Sequence, residues 1–105
     1  MSNIITLTVE NYETEISSGS IVIDFFANWC GPCKSFAPVF EEAAARYEGK
    51  IKFAKINVDE QRDLALKNKV MSIPTLLFFK DGEQVDRVTG VTDQATLSKK
   101  LDLIV

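Results

Sequence analysis

Trp29-Cys30-Gly31-Pro32-Cys33 holds both cysteines of the chain, and the sequence contains no histidine. A thiolate attacks disulfides, and two thiols with two residues between them can close a small ring across one helical turn. Such a disulfide is made and broken more readily than a structural one. The missing imidazole excludes Ser-His-Asp and Cys-His nucleophiles and any His-ligated metal or haem. Two thiols cannot complete a four-ligand zinc or iron–sulfur site within one chain. A structural staple gains most from closing a long loop, and this pair would close almost none. What remains is chemistry run by thiols, carboxylates or lysines. Among the carboxylates Asp24 stands out, because Ile21, Val22, Ile23, Phe25 and Phe26 surround it. A carboxyl group buried in such a run is hard to ionise.

Apolar spacing supplies the elements that must position these groups. Residues 4–8 read as a short strand and 10–16 as a brief helix ended by Ser17-Ser18-Gly19. Residues 21–27, apolar on both faces except at Asp24, suit a central strand covered on both sides. In 33–47, Phe36, Val39, Phe40, Ala43 and Tyr47 recur at helical spacing, an amphipathic helix stopped at Gly49. Pro38 lies inside it, which predicts one kinked helix rather than two. Residues 52–58 alternate as a third strand, and 61–68 form a short helix. Residues 75–80 and 84–89 are strands joined by Asp81-Gly82, a tight hairpin signal. Residues 93–104, with Leu97, Leu101 and Ile104 in register, close the chain as a helix capped by Thr92 or Asp93. This order predicts an α/β three-layer sandwich, a mixed five-stranded sheet flanked by four helices. Its first part is parallel through right-handed crossovers, and the hairpin supplies the antiparallel edge. With no repeat or linker-like stretch, residues 1–105 read as a single domain.

The cysteine pair therefore falls at a helix start, where free N–H groups and the positive dipole end favour a thiolate. Cys30, just outside the first turn, is expected to be the exposed nucleophile, and Cys33, one turn in, to be shielded by the core. Pro32 fits an early helical position because its missing N–H has no partner there.

A net charge of −3 leaves no basic footprint for nucleic acid. The longest aliphatic and aromatic run, Leu76-Leu77-Phe78-Phe79, is far short of the ~20 apolar residues that span a membrane. Met1-Ser2-Asn3-Ile4-Ile5 lacks the charged and long apolar regions of a secretory signal, so a cytoplasmic protein is expected.

The segment from Ile23 through Trp29-Cys30-Gly31-Pro32-Cys33 to Lys34 resembles the active-site region of the thioredoxin family. The likeness continues in order through Ala37-Pro38-Val39-Phe40, Lys55-Ile56-Asn57-Val58-Asp59, Ser72-Ile73-Pro74-Thr75-Leu76 and Lys80-Asp81-Gly82 to Gly90. It implies the thioredoxin fold and a general protein-disulfide reductase, an electron carrier whose only redox group is a Cys30–Cys33 disulfide, with no bound cofactor. By the resemblance, Cys30 is the attacking thiol and Cys33 the resolving one. Asp24 is the buried acid that passes a proton to and from Cys33, and Lys55 modulates it. Ile73–Pro74 is expected to be cis and to face the thiols. Trp29, Gly31, Pro32, Ile73, Pro74, Gly90 and Val91 would form the substrate-binding surface. The implied partners are a thioredoxin reductase, flavin- or ferredoxin-linked, and protein substrates such as ribonucleotide reductase, peroxiredoxin or methionine sulfoxide reductase. A monomer is expected. Three residues depart from the family's habit: Phe26 where a tryptophan is common, Asn28 where an acidic, proline or small residue is usual, and Asn68 where an aromatic often stands.

Plainer readings exist for each residue. The cysteines could be a structural disulfide or half a zinc site shared between chains, Asp24 a surface carboxylate, and Lys55 a solvated strand lysine. Trp29 could be an ordinary core residue and Pro74 a loop proline. At the level of function, the same fold could run as a thiol oxidase or isomerase, or serve as a non-catalytic binding subunit. Gly31-Pro32 resembles the reducing branch of the family.

Overall fold

The apolar run that contains Asp24 takes the place its composition demands, the middle of the sheet. In a computed structural model, which describes residues 3–105, nine elements follow in chain order. They are β1 (Ile5–Thr6), α1 (Tyr12–Ile16), β2 (Ser20–Phe26), α2 (Gly31–Arg46), β3 (Lys52–Asn57), α3 (Arg62–Lys67), β4 (Thr75–Lys80), β5 (Glu83–Thr89) and α4 (Gln94–Asp102). Met1 and Ser2, part of the signal-peptide reading, lie outside the described residues.

The sheet order is β1-β3-β2-β4-β5, with β3 parallel to β1 and β2, and β4 antiparallel to β2 and β5. Side chains alternate across β2 and divide the core. Val22 joins Phe36, Phe40, Ala43, Phe53, Leu76, Phe78, Leu97 and Leu101 on the face covered by α2 and α4. Ile21, Ile23 and Phe25 join Tyr12, Ile16, Ala54, Ile56 and Leu64 on the face covered by α1 and α3. The expected three-layer sandwich is therefore the observed one, and the period of two puts Asp24 on the α2 side.

Several ends move by one or two residues for local reasons. The first strand is shorter than residues 4–8, because the chain turns at Thr8, whose carbonyl accepts from the Asn11 and Tyr12 N–H groups. The same turn delays α1 to Tyr12. The long helix begins at Gly31 rather than Cys33, and it runs through Pro38 as one element. Asp93, not Thr92, caps α4, its carboxylate accepting from the Thr96 N–H at 2.9 Å. That helix stops at Asp102, and the Ile104 carbonyl beyond it is held by the Ser20 hydroxyl and, at 2.9 Å, by Lys80 Nζ. At the hairpin, Asp81 and Gly82 both take left-handed backbone, φ 50° and 89°. Both centres of a primed two-residue turn need that conformation, and the Asp-Gly pair supplies it.

Candidate active site

The sequence from Ala27 to Cys33 leaves β2 and enters α2 within a single turn. Cys30, in extended conformation at φ −85° and ψ 111°, is the N-cap residue, and its sulfur accepts from the Cys33 backbone N–H at 3.1 Å. A cap normally satisfies such an orphan donor with oxygen. Here sulfur does so, which, with the helix dipole, favours negative charge on Cys30 when the pair is reduced. In the structure Cys30 and Cys33 are joined as a disulfide with their Cα atoms 5.2 Å apart.

The expected contrast in exposure between the two cysteines is absent. Cys30 is 4% exposed and Cys33 5%. The segment before β4 closes over the helix start, bringing the Ile73 carbonyl oxygen within 3.9 Å of Cys30 Sγ, and helix-end position alone could not reveal that cover. What separates the cysteines is the side on which each opens. Cys30 lines an apolar groove of about 530 Å³ with Trp29, Gly31, Pro32, Val58, Val70, Met71, Ser72 and Ile73. Cys33 lines a different pocket of about 280 Å³, walled by Asp24, Lys55, Phe26, Ala37 and Phe40 among others.

Asp24 is buried, 7% exposed, and its Oδ1 has no hydrogen-bond partner. Burial pushes its pKa up to about 7, and the Lys55 charge opposes this more weakly. Lys55 is the register neighbour of Asp24 across the parallel β2–β3 pair. Its side chain is exposed, with Nζ 5.7 Å from the centroid of the Phe26 ring. A phenyl ring at position 26 thus faces the lysine that tunes the acid.

The Ile73–Pro74 bond is cis. Trp29 is 70% exposed rather than a core residue, and its indole Nε1 donates to Asp59 Oδ2 at 2.8 Å. Of the residues expected at the substrate surface, Trp29, Gly31, Pro32 and Ile73 share the groove with Cys30. Pro74, Gly90 and Val91 do not line it. Gly90 is tied to Pro74 by an N–H to carbonyl bond of 2.8 Å, and Val91 is half exposed.

Sequence reasoning missed Val58, Val70, Met71 and Ser72 on the groove wall, and Asp59 as the acceptor of the indole N–H. The signal for two of them was an apolar pair, Val70-Met71, standing in a loop. Asn68, the third departure, caps α3: its amide donates to the Leu64 carbonyl at 2.8 Å and its Oδ1 accepts from the Tyr12 hydroxyl at 3.1 Å. These bonds tie the end of α3 to α1. Among the described residues no cluster of metal-ligating side chains occurs, and no helix is long and apolar enough to cross a membrane.

Known proteins resemble this chain over nearly its whole length. The family model described as Thioredoxin matches residues 3–103. Proteins named thioredoxin from Staphylococcus aureus strains Mu50, MW2 and N315 are each 48% identical over 99 residues, covering 94% of this chain and 95% of the relative. With the fold, the cysteine pair and these matches in agreement, the chain belongs to the thioredoxin family, protein-disulfide oxidoreductases that work by dithiol–disulfide exchange.

Proposed function

We propose that the protein is a general protein-disulfide reductase in which Cys30 attacks and Cys33 resolves. The observation that carries this reading is the split environment of the disulfide, with Cys30 on an apolar groove and Cys33 on the pocket of a buried acid. In the reduced form, the Cys30 thiolate attacks one sulfur of a substrate disulfide seated against Trp29 and Ile73. A Cys30–substrate disulfide forms, and the other substrate sulfur leaves and takes a proton. Asp24 then accepts the Cys33 proton. The Cys33 thiolate attacks Cys30, the internal disulfide closes, and the second substrate thiol is released with two electrons delivered in all. A carboxyl group with a pKa of about 7 suits this exchange, because it can both take and return a proton near neutrality. Lys55 sets how readily it ionises.

Pro74, Gly90 and Val91, outside the groove lining, are assigned to holding the segment that carries Ile73, with the Gly90 N–H bonded to the Pro74 carbonyl. The partners of this reading are a flavin- or ferredoxin-linked thioredoxin reductase upstream and disulfide-bearing proteins such as ribonucleotide reductase, peroxiredoxin or methionine sulfoxide reductase downstream. The working form is a cytoplasmic monomer. Cys30→Ser is expected to abolish the acceleration of protein-disulfide reduction by dithiothreitol, measured as thiol release. Retained acceleration would overturn the assignment of the attacking sulfur.

A further inference from the structure

We infer that Met71 is an oxidation site through which peroxide weakens substrate binding in the groove beside Cys30. The inference rests on the proposed use of that groove for protein disulfides. Met71 is 92% exposed and lines the same groove as Cys30. The only other methionine is Met1. In the disulfide form neither cysteine offers a thiolate, and both are nearly covered. A peroxide approaching the groove therefore meets the Met71 thioether as its exposed sulfur nucleophile.

The step balances without a further reactant. The thioether sulfur attacks one peroxide oxygen, the O–O bond breaks, and a sulfur–oxygen bond forms. Methionine becomes the sulfoxide, losing two electrons, and hydrogen peroxide is reduced to water. A methionine sulfoxide reductase reverses it.

The consequence follows from the groove's walls. An unbranched thioether fits varied apolar partners, which suits a surface that must accept many chains. Trp29, Val58, Val70 and Ile73 give that surface its apolar character. Two residues of chain separate Met71 from Ile73 at most by about 7 Å, and the Ile73 carbonyl stands 3.9 Å from Cys30 Sγ. A sulfoxide at position 71 places a strong polar acceptor there, and an incoming polypeptide must strip it of water. The wall's side-chain donors are only the Ser72 hydroxyl and the Trp29 indole N–H, the latter already given to Asp59. The sulfurs that react, and Asp24 on the other side of the disulfide, are untouched. The change is expected in KM, by about three- to tenfold, with kcat nearly constant.

The test treats the disulfide form with hydrogen peroxide, removes the oxidant, and measures reduction of a protein disulfide after re-reduction of the cysteines. Peptide mass mapping should find one added oxygen on the 70–80 peptide, with KM raised and restored by methionine sulfoxide reductase. Met71→Leu, compared with its own untreated form, should show no change in KM. The inference is overturned if Met71 stays unmodified, if it is modified with KM unchanged, or if the treated leucine variant loses binding equally, which would point to the exposed indole of Trp29. The untreated wild-type protein judges the reductase reading separately: inactivity there defeats that reading, whatever the fate of Met71.

Discussion

A carboxyl group whose pKa is about 7 in the folded chain, against 3.8 as its ordinary value, binds its proton more tightly folded than unfolded. Between roughly pH 4 and 7 the folded state therefore holds more protons, so the stability Asp24 contributes by being protonated is lost as pH rises through its folded pKa. Above pH 7 the full penalty is on the order of 4 kcal/mol. Asp24→Asn removes the titration but still buries an amide in the same apolar place. It is expected to be more stable than wild type by about 1–3 kcal/mol at pH 8, with the gain shrinking towards pH 4. Denaturant unfolding at several pH values measures this, and a pH-independent difference would refute the assignment. The same variant should resolve the mixed disulfide at least about tenfold more slowly at neutral pH. Gaining stability while losing rate is what a buried acid retained for chemistry would show. This residue was legible from its neighbours alone, because burial within a two-faced apolar strand follows from composition. The cover over Cys30 was legible only through the family resemblance, which set Ile73–Pro74 opposite the thiols, since it comes from a segment some forty residues later in the chain.

At the scale of elements, the groove depends on the loop between α3 and β4, whose first turn caps α3: the Lys69 N–H donates to the Leu66 carbonyl and the Val70 N–H to the Ala65 carbonyl, each at 3.0 Å. Arg87, on β5, reaches across to it: Nη1 donates to the Lys69 carbonyl at 3.2 Å and Nη2 donates to the Asn68 carbonyl. Lys69 holds left-handed backbone at φ 56°, an unusual state for a residue with a side chain. The two charge-assisted bonds to adjacent carbonyls add to these backbone bonds in holding the chain in that turn, which carries Val70 and Met71 to the groove wall. Arg87→Gln is expected to cost about 1–2 kcal/mol of stability and to raise KM for a protein disulfide more than it lowers kcat. Arg87→Lys should recover part of the KM. Equal loss in kcat and KM, without rescue, would reduce Arg87 to a stabilising role. The turn at Lys69 explains why the groove wall was hard to read in the sequence. Asp81-Gly82 announces its hairpin because both residues suit the local backbone, whereas Lys69 stands at the left-handed position after a helix end, where glycine is the usual sign.

For the whole molecule, the chain leaves β2 through α2 towards β3 on one side, and returns through α3 to β4 on the other. That reversal opens a crevice at the carboxyl end of the central strand, the usual place for a site in an open α/β sheet. The cysteines stand there at the seam between the two core faces, in a small cluster with Ala27, Val58 and Ile73. The far end of α4 belongs instead to the scaffold. Leu101 is fully buried in the cluster that contains Phe36, Phe40, Val22 and Phe78, away from either pocket wall at the disulfide. Leu101→Ala should therefore cost about 2–5 kcal/mol, a large share of the ~5–15 kcal/mol that holds a domain of this size. If site and scaffold are separable, the variant will unfold at lower denaturant concentration. It will keep its rates of mixed-disulfide formation and resolution wherever it remains folded. Paired unfolding and stopped-flow measurements decide the point. A fall in the rates of the folded variant would show that packing under α4 reaches the N-terminus of α2 through Phe36 and Phe40, and that the cysteine geometry depends on the whole of that core.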